Sequence, residues 1–291
     1  MKDYFGLNGK VCVVTGSSNG MGLATAKMLV DLGAEVYGVS RSETKVDGIK
    51  ASIKCNLSDR NSIDEAFKQL PEHIDCFFGV AGLSGSKTDY LTTFNCDFTA
   101  NKYITLEYLT KRMSEGSTIT YVTSTAGLNW QKFAKEQKKV VYAEGWDNTI
   151  AALGKLPTIS PSNFAYIYAK RCLSMFAAEM AYVLGQKGIR VNNVMPGSTE
   201  TGMKDEFEKM AGGKEALLAE TGVAHRLATS DEMAYPIVFS ASNMATFMSG
   251  TDIVVDSATN AMVTMGHKKN QMGISATNPL ILTLAKKAMS K

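Results

Sequence analysis

The sequence predicts a doubly wound α/β fold: a mostly parallel sheet of about seven strands, helices on both faces, and a small helical insertion. Three observations predict it. Short β-branched runs alternate with longer stretches of helical periodicity over most of the 291 residues. A glycine-rich turn joins the first run to the first helical stretch. The other chemically distinctive clusters also fall just after strands, where such sheets open toward ligands.

Residues 11–15 (VCVVT) form a β-branched run closed by Gly16, a buried strand. Over residues 20–32, Met21, Leu23, Ala24, Met28 and Leu32 recur at helical spacing, and Gly33 stops the helix. Residues 35–40 are a second strand and 51–57 a third. Ser58 is expected to cap a helix to about Leu70, with Asp64 and Glu65 near its positive end. Residues 76–81 form a fourth strand, followed by a long helix to about Met113. Residues 118–124, 190–195 and 252–256 complete the set of strands.

Two segments break the alternation. Residues 127–163 carry Trp130, Phe133, Val140, Val141, Tyr142, Trp146 and Ile150, too apolar for a slack loop, and read as the helical insertion. After residue 265 a C-terminal extension joins an apolar patch (residues 279–285) to Lys286, Lys287 and Lys291, and is expected to dock on the domain or on a partner subunit. The domain itself is expected to span residues 1–265.

Composition excludes several classes of function. Hydrophobic residues make up 45% and charged residues 20%, enough apolar matter for a large core. With a net charge of +3 and no run of five lysines or arginines, no nucleic-acid partner is expected. The five cysteines are scattered, without a Cys-x-x-Cys pair, as suits a reducing, cytoplasmic location. The first ten residues lack the apolar stretch of a secretion signal, and no apolar run approaches the ~20 residues that span a bilayer. The three histidines lie far apart, so no metal site is expected.

The turn at 15–22 (TGSSNGMG) has the composition of a pyrophosphate cradle. Gly16, Gly20 and Gly22 let the backbone turn tightly and approach the anion, and Ser18, Asn19 and Met21 complete the loop before a helix N-terminus that favours negative charge. The end of the second strand reads the adenosine ribose. An acid there binds the 2′-hydroxyl of NAD, whereas Ser40-Arg41-Ser42 supplies a guanidinium between hydroxyls that suits the 2′-phosphate of NADP. NADP(H) is therefore favoured over NAD(H).

Tyr166 and Lys170 stand four apart in a helical segment, on one face and one turn from each other. An ammonium beside a phenol stabilises the phenolate, and an oxidised nicotinamide ring would add to this, bringing Tyr166 toward acid–base work near neutrality. Ser124 ends the fifth strand, where its hydroxyl can bond a substrate oxygen as charge develops. Tyr168 faces away from this side.

Tyr-x-x-x-Lys alone is an unspecific spacing. Thr-Gly-x-x-x-Gly-x-Gly at 15–22, Gly-Val-Ala-Gly at 79–82, Ser124, Tyr166 with Lys170, and Pro196-Gly197-x-x-x-Thr201 nevertheless follow one another in a single order. Together they resemble the short-chain dehydrogenase/reductase family over roughly residues 8–262, with a Rossmann-type catalytic domain. Within that family, the insertion, residues 196–201 and residues 226–263 are similar to those of bacterial 3α-hydroxysteroid dehydrogenase/carbonyl reductases. The resemblance implies Tyr166 as proton donor or acceptor, Lys170 as its electrostatic partner and Ser124 as substrate orienter. It further implies Thr199 and Thr201 near the nicotinamide carboxamide and phosphates, Asn56 and Leu57 beside the adenine, Ala81, Gly82, Pro196 and Gly197 as further cofactor-binding residues, and a homodimer or homotetramer.

Departures are visible. The family's Asn-Asn-Ala-Gly is Gly79-Val80-Ala81-Gly82 here, without either amide, and its Asp beside the adenine is Asn56. The helix asparagine that completes the family's tetrad by holding a water next to the lysine aligns with Asp97, with Asn95 and Asn101 as alternative registers. A carboxylate there would pair with Lys170 and alter the proton relay. The reading is an NADP(H)-linked oxidoreductase acting on a ketone or secondary alcohol, a hydroxysteroid or similarly bulky apolar molecule. The alternatives are a dinucleotide-binding regulatory or scaffold protein without turnover, and an epimerase or dehydratase with recycled cofactor. The pocket is expected to be lined by the insertion and residues 203–223.

Overall fold

The computed structural model describes residues 3–154 and 162–268. Seven parallel strands are arranged in the order β3-β2-β1-β4-β5-β6-β7. They are β1 (Val11–Thr15), β2 (Glu35–Ser40), β3 (Ala51–Lys54), β4 (Cys76–Gly79), β5 (Thr118–Val122), β6 (Arg190–Pro196) and β7 (Asp252–Val255). The winding reverses between β1 and β4, whose registers pair Cys12 with Cys76 and Thr15 with Gly79. A ligand crevice is expected outside the carboxyl ends at that reversal.

Strands buried on both faces need no polar alternation, which is why β4 and β5 are buried at every position. On one face pack α2 (Arg60–Phe67), α3 (residues 90–112) and α6 (Ser162–Gly185), joined through Ile63, Phe67, Phe98, Leu109, Leu173 and Phe176. On the other pack α1 (Gly20–Asp31) and α9 (Ser230–Ala241), through Ala26, Leu29, Ile237 and Val238. Four of the strands expected from sequence are shorter, β7 by its last residue alone. β3 stops at Lys54 because Cys55 gives a last ladder bond to Ser40 and the chain then turns at Asn56. β4 stops at Gly79, where the Val80 and Ala81 N–H groups turn to the Thr15 hydroxyl at 3.1 and 3.3 Å. β5 stops at Val122, leaving Ser124 outside it. Asp59, not Ser58, caps α2: its carboxylate accepts from the Asn61 N–H at 2.9 Å, while Ser58 Oγ donates to the Thr92 carbonyl.

The segment after β5 is helical, with a 3₁₀ turn at Trp130–Phe133, then α4 (Ala134–Val141) and α5 (Gly145–Gly154). Val140, Trp146 and Leu153 join the core shared by α3 and α6. Lys102 of α3, only 3% exposed, holds this segment down by donating to the Val140 and Ala143 carbonyls and the Thr149 hydroxyl. The short helices α7 (Lys204–Ala211), α8 (Lys214–Leu218) and α10 (Thr259–Thr264) complete the described residues. None of the described helices is long and apolar enough to cross a membrane. Residues 155–161 of the expected insertion and 269–291 of the C-terminal extension lie outside the described residues.

Candidate active site

A cleft of about 660 Å³ opens at the reversal point. Gly16, Ser18, Asn19, Gly20, Met21, Ser40, Arg41, Asn56, Leu57, Ala81, Gly82 and Thr201 line it, so most of the residues assigned to a dinucleotide by sequence meet in one place. Pro196, Gly197 and Thr199 stand apart from its walls, and Thr199 Oγ1 instead donates to the Gly197 carbonyl at 3.0 Å. The cradle depends on absent side chains. A Cβ on Gly16 would fall 2.7 Å from Ala81 Cα, and one on Gly22 would fall 2.2 Å from the Gly16 carbonyl oxygen. Gly16 and Gly20 also hold φ of 70° and 53°, the left-handed region that glycine enters without strain. In this arrangement Asn19 Oδ1 accepts the Gly20 N–H at 2.7 Å, capping α1. A backbone able to come this close, followed by a helix N-terminus, fits a pyrophosphate.

At the far end of β2, Ser18 Oγ and Ser40 Oγ lie 2.7 Å apart. The Arg41 side chain beside them is exposed, and the arginine–carboxylate pairs among the described residues involve Arg60 and Arg226 instead.

Tyr166 and Lys170 come from α6 and face the same way, with Lys170 Nζ 5.4 Å from the centroid of the Tyr166 ring. Tyr168 points elsewhere, buried against Phe94. Ser124 lies in extended backbone before a 3₁₀ turn and accepts from the Ala126 N–H at 3.1 Å, leaving its own proton free, and its hydroxyl lowers the Tyr166 pKa. Burial pushes the Tyr166 phenol upward, and Lys170 and Ser124 pull it down without cancelling that effect. In the chain by itself the phenol is thus held above its ordinary value, contrary to what the i,i+4 spacing alone implied, because burial disfavours the phenolate more than one ammonium favours it.

Asp97 is the group of the Asn95, Asp97 and Asn101 set that reaches Lys170, at 3.8 Å, and it is fully buried. It sits in a π-helical turn, Asn95–Thr99, within α3. The widened turn loosens the backbone ladder, and side chains take up carbonyls: Asn101 Nδ2 donates to Asp97 O at 3.4 Å and Thr105 Oγ1 to Asn101 O at 2.7 Å. Asp97 Oδ1 accepts from the Leu83 N–H at 2.7 Å, tying this turn to the loop after β4. Burial pushes the Asp97 carboxyl up to about 6, against the pull of Lys170. The amides missing at residues 79 and 80 are partly replaced from α3, because Asn101 Oδ1 lies 2.5 Å from where a Gly79 Cβ would be.

Ser124, Tyr166 and Lys170 are not among the residues that line the cleft, but Lys170 stands just behind its wall. A Cβ on Gly82, which lines the cleft, would fall 3.1 Å from Lys170 Nζ. Above them lies α7. Its Phe207 meets the Tyr166 ring edge-on at 5.7 Å, and its Glu206 accepts from Ser84, from Ser86 at 2.9 Å and from Lys87 at 2.8 Å. Sequence reading pointed to the 203–223 region without finding these two residues. Their partners are more than a hundred positions away for Glu206, and no local spacing signals them.

A family model described as Enoyl-(Acyl carrier protein) reductase matches residues 16–259. Coniferyl-alcohol dehydrogenase of a Pseudomonas species (strain HR199) is 32% identical over 251 residues, covering 86% of this chain and 96% of that protein. The 3α-hydroxysteroid dehydrogenase of Pseudomonas sp. B-0831, solved with NADH, superposes with a TM-score of 0.71 at 18% identity over 89% of this chain and 100% of that one. A putative 2-deoxy-D-gluconate 3-dehydrogenase of Agrobacterium tumefaciens with bound NADP superposes with a TM-score of 0.69 at 20% identity, over 89% and 100% of the two chains.

Proposed function

The chain belongs to the short-chain dehydrogenase/reductase family and is an NAD(P)-dependent oxidoreductase, and from that premise we propose that it interconverts a bulky apolar alcohol and its carbonyl compound with NADP(H). The observation that carries the reading is that Ser124 and Lys170 both act on the Tyr166 phenol, with Lys170 against Gly82 of the cleft wall. Held by the glycine turn and the other residues that line the cleft, the nicotinamide cofactor would supply the carbon that accepts or gives the hydride and, when oxidised, a positive charge. In alcohol oxidation Tyr166 takes the hydroxyl proton at its phenolate oxygen, and in reduction it returns that proton. Ser124 donates to the same substrate oxygen and orients it. Lys170 holds the phenolate by its charge. Phe207 and Met203 supply apolar surface for a ring-bearing body, which supports an aryl alcohol or a hydroxysteroid over a small polyol.

Arg41 with Ser18 and Ser40 supports NADP(H), since a guanidinium unpaired with any described carboxylate can take a phosphate. Five free, buried cysteines suit the reducing cytoplasm. The test follows nicotinamide absorbance with coniferyl alcohol, a 3α-hydroxysteroid and a 3-oxoacyl thioester. Turnover of one of the first two is expected, with kcat falling ~100-fold or more in Tyr166→Phe. A Tyr166→Phe protein as active as its parent would remove Tyr166 from the reaction.

A further inference from the structure

Lys170 is surrounded by more than the phenol it was expected to serve. Its side chain is 4% exposed, and it donates to the Val122 carbonyl at 3.3 Å. On one side stands the Tyr166 ring. On the other stands Asp97, whose Oδ1 is fixed by the Leu83 N–H while Oδ2, 3.8 Å from the ammonium, has no hydrogen-bond partner. The lysine thus lies between two groups that each gain from a nearby positive charge.

We propose that Asp97 is a positioning residue that competes with Tyr166 for the Lys170 ammonium and thereby sets the pH at which Tyr166 exchanges its proton. The inference rests on Tyr166 being the acid–base group. An ammonium matched by a carboxylate offers the phenolate little net charge, whereas one facing a neutral group offers it all. The directions agree: Lys170 lowers the Tyr166 pKa and Asp97 raises it. With its own titration brought up to about 6, Asp97 changes charge within the working range.

The surroundings leave few rivals. Cys96, on the same turn, is buried, and burial pushes its thiol far up, so it stays neutral. Arg41 and Cys55 act on Cys96 in turn, Arg171 of α6 lies over the Phe133 ring at 4.2 Å, and other titratable groups on neighbouring elements are engaged elsewhere. Tyr90 of α3 and Tyr168 of α6 respond to Cys172 and Glu136, and Lys102 and Cys172 respond to each other. Tyr103 bonds Asp64, and Asp147 of α5 pairs with Arg60.

The test reads the phenol directly. Tyrosinate absorbance of the full chain with NADP+ bound is titrated, and the curve of the matching Tyr166→Phe protein is subtracted. In the Asp97→Asn background the Tyr166 midpoint is expected to fall by about one pH unit, a ~10-fold gain in phenolate at a fixed pH below it. Asp97→Ser also removes the charge and is expected to give the same shift, so the measurement survives if one variant fails to fold. The rising limb of kcat/KM for coniferyl alcohol oxidation moves with the midpoint. A midpoint that stays, or that moves to higher pH in both variants, overturns the proposal. A midpoint that falls in protein that turns over no alcohol upholds the charge coupling and instead counts against the functional reading.

Discussion

Arg41 stands at the mouth of the cleft with its guanidinium in solvent. If it holds the phosphate that distinguishes the two dinucleotides, its loss removes charge-assisted bonds from one cofactor and nothing from the other. Arg41→Ala is therefore expected to raise the KM for NADPH by about 10- to 100-fold while leaving that for NADH nearly unchanged. An equal effect on both would assign Arg41 to the surface. Asp97 allows a second prediction at this scale. Its folded pKa of about 6 lies above its unfolded value, so its contribution to stability is full below about pH 4 and is lost as pH rises through 6. The loss is about 3 kcal/mol. Asp97→Asn has no such titration, so its melting temperature relative to the parent is expected to rise by roughly 5 °C between pH 4.5 and 7.5. A constant difference would mean that Asp97 does not titrate there. The pairing of Tyr166 with Lys170 was legible in the sequence because helical spacing fixes which side chains share a face, whereas Asp97, on another helix, was placed by resemblance with Asn95 and Asn101 left open. The net upward push on the phenol was not, because burial depends on everything packed around it.

Elements repeat this division. Strand cores were readable from β-branched runs, but their ends were decided by single hydrogen bonds, such as Thr15 Oγ1 drawing the Val80 and Ala81 N–H groups out of the ladder. The π-helical turns of α3 leave no mark in an apolar periodicity, yet one of them carries Asp97. Helix α7 was the least legible element, since it is amphipathic but has no buried residue of its own. What holds it over Tyr166 is Phe207 together with the Glu206 cluster. Burial pushes the Glu206 carboxyl up, but bonds from Lys87, Ser84 and Ser86 outweigh this and hold it below the usual carboxylate range. Its contribution is therefore present above the unfolded value and lost as pH falls through the folded one. Glu206→Gln is expected to speed amide exchange across residues 204–211 several-fold at pH 7, with little change in α9, which makes none of these contacts. In the parent protein the same segment should loosen on acidification, after correction for intrinsic exchange rates. Unchanged protection in the variant would show that Phe207 alone holds α7 down.

At the scale of the whole molecule, the alternation of strands and helices dictated the doubly wound sheet, and the parallel order allows little else once right-handed crossovers are imposed. Among the described residues the sheet ends at β7, an edge strand left half-open. Close to it in sequence are Tyr235 of α9, 57% exposed, then Met244 and a fully exposed Phe247. A monomer rarely leaves rings this exposed without a partner. The homo-oligomer expected from sequence is therefore expected to close on this margin, by a two-fold contact in which each Phe247 is buried against the other copy. Burying one such ring is worth about 2 kcal/mol, and a two-fold axis buries two, so Phe247→Glu is expected to weaken association by ~1000-fold or more. Sedimentation equilibrium should give a dimer or tetramer for the parent and a monomer for the variant at micromolar concentration. Ser124, Tyr166, Lys170 and the glycine cradle all come from one chain, so the monomer should still bind NADPH and turn over its alcohol. A parent that sediments as a monomer would remove this margin as an interface, and a variant that remains oligomeric would move the interface to another face.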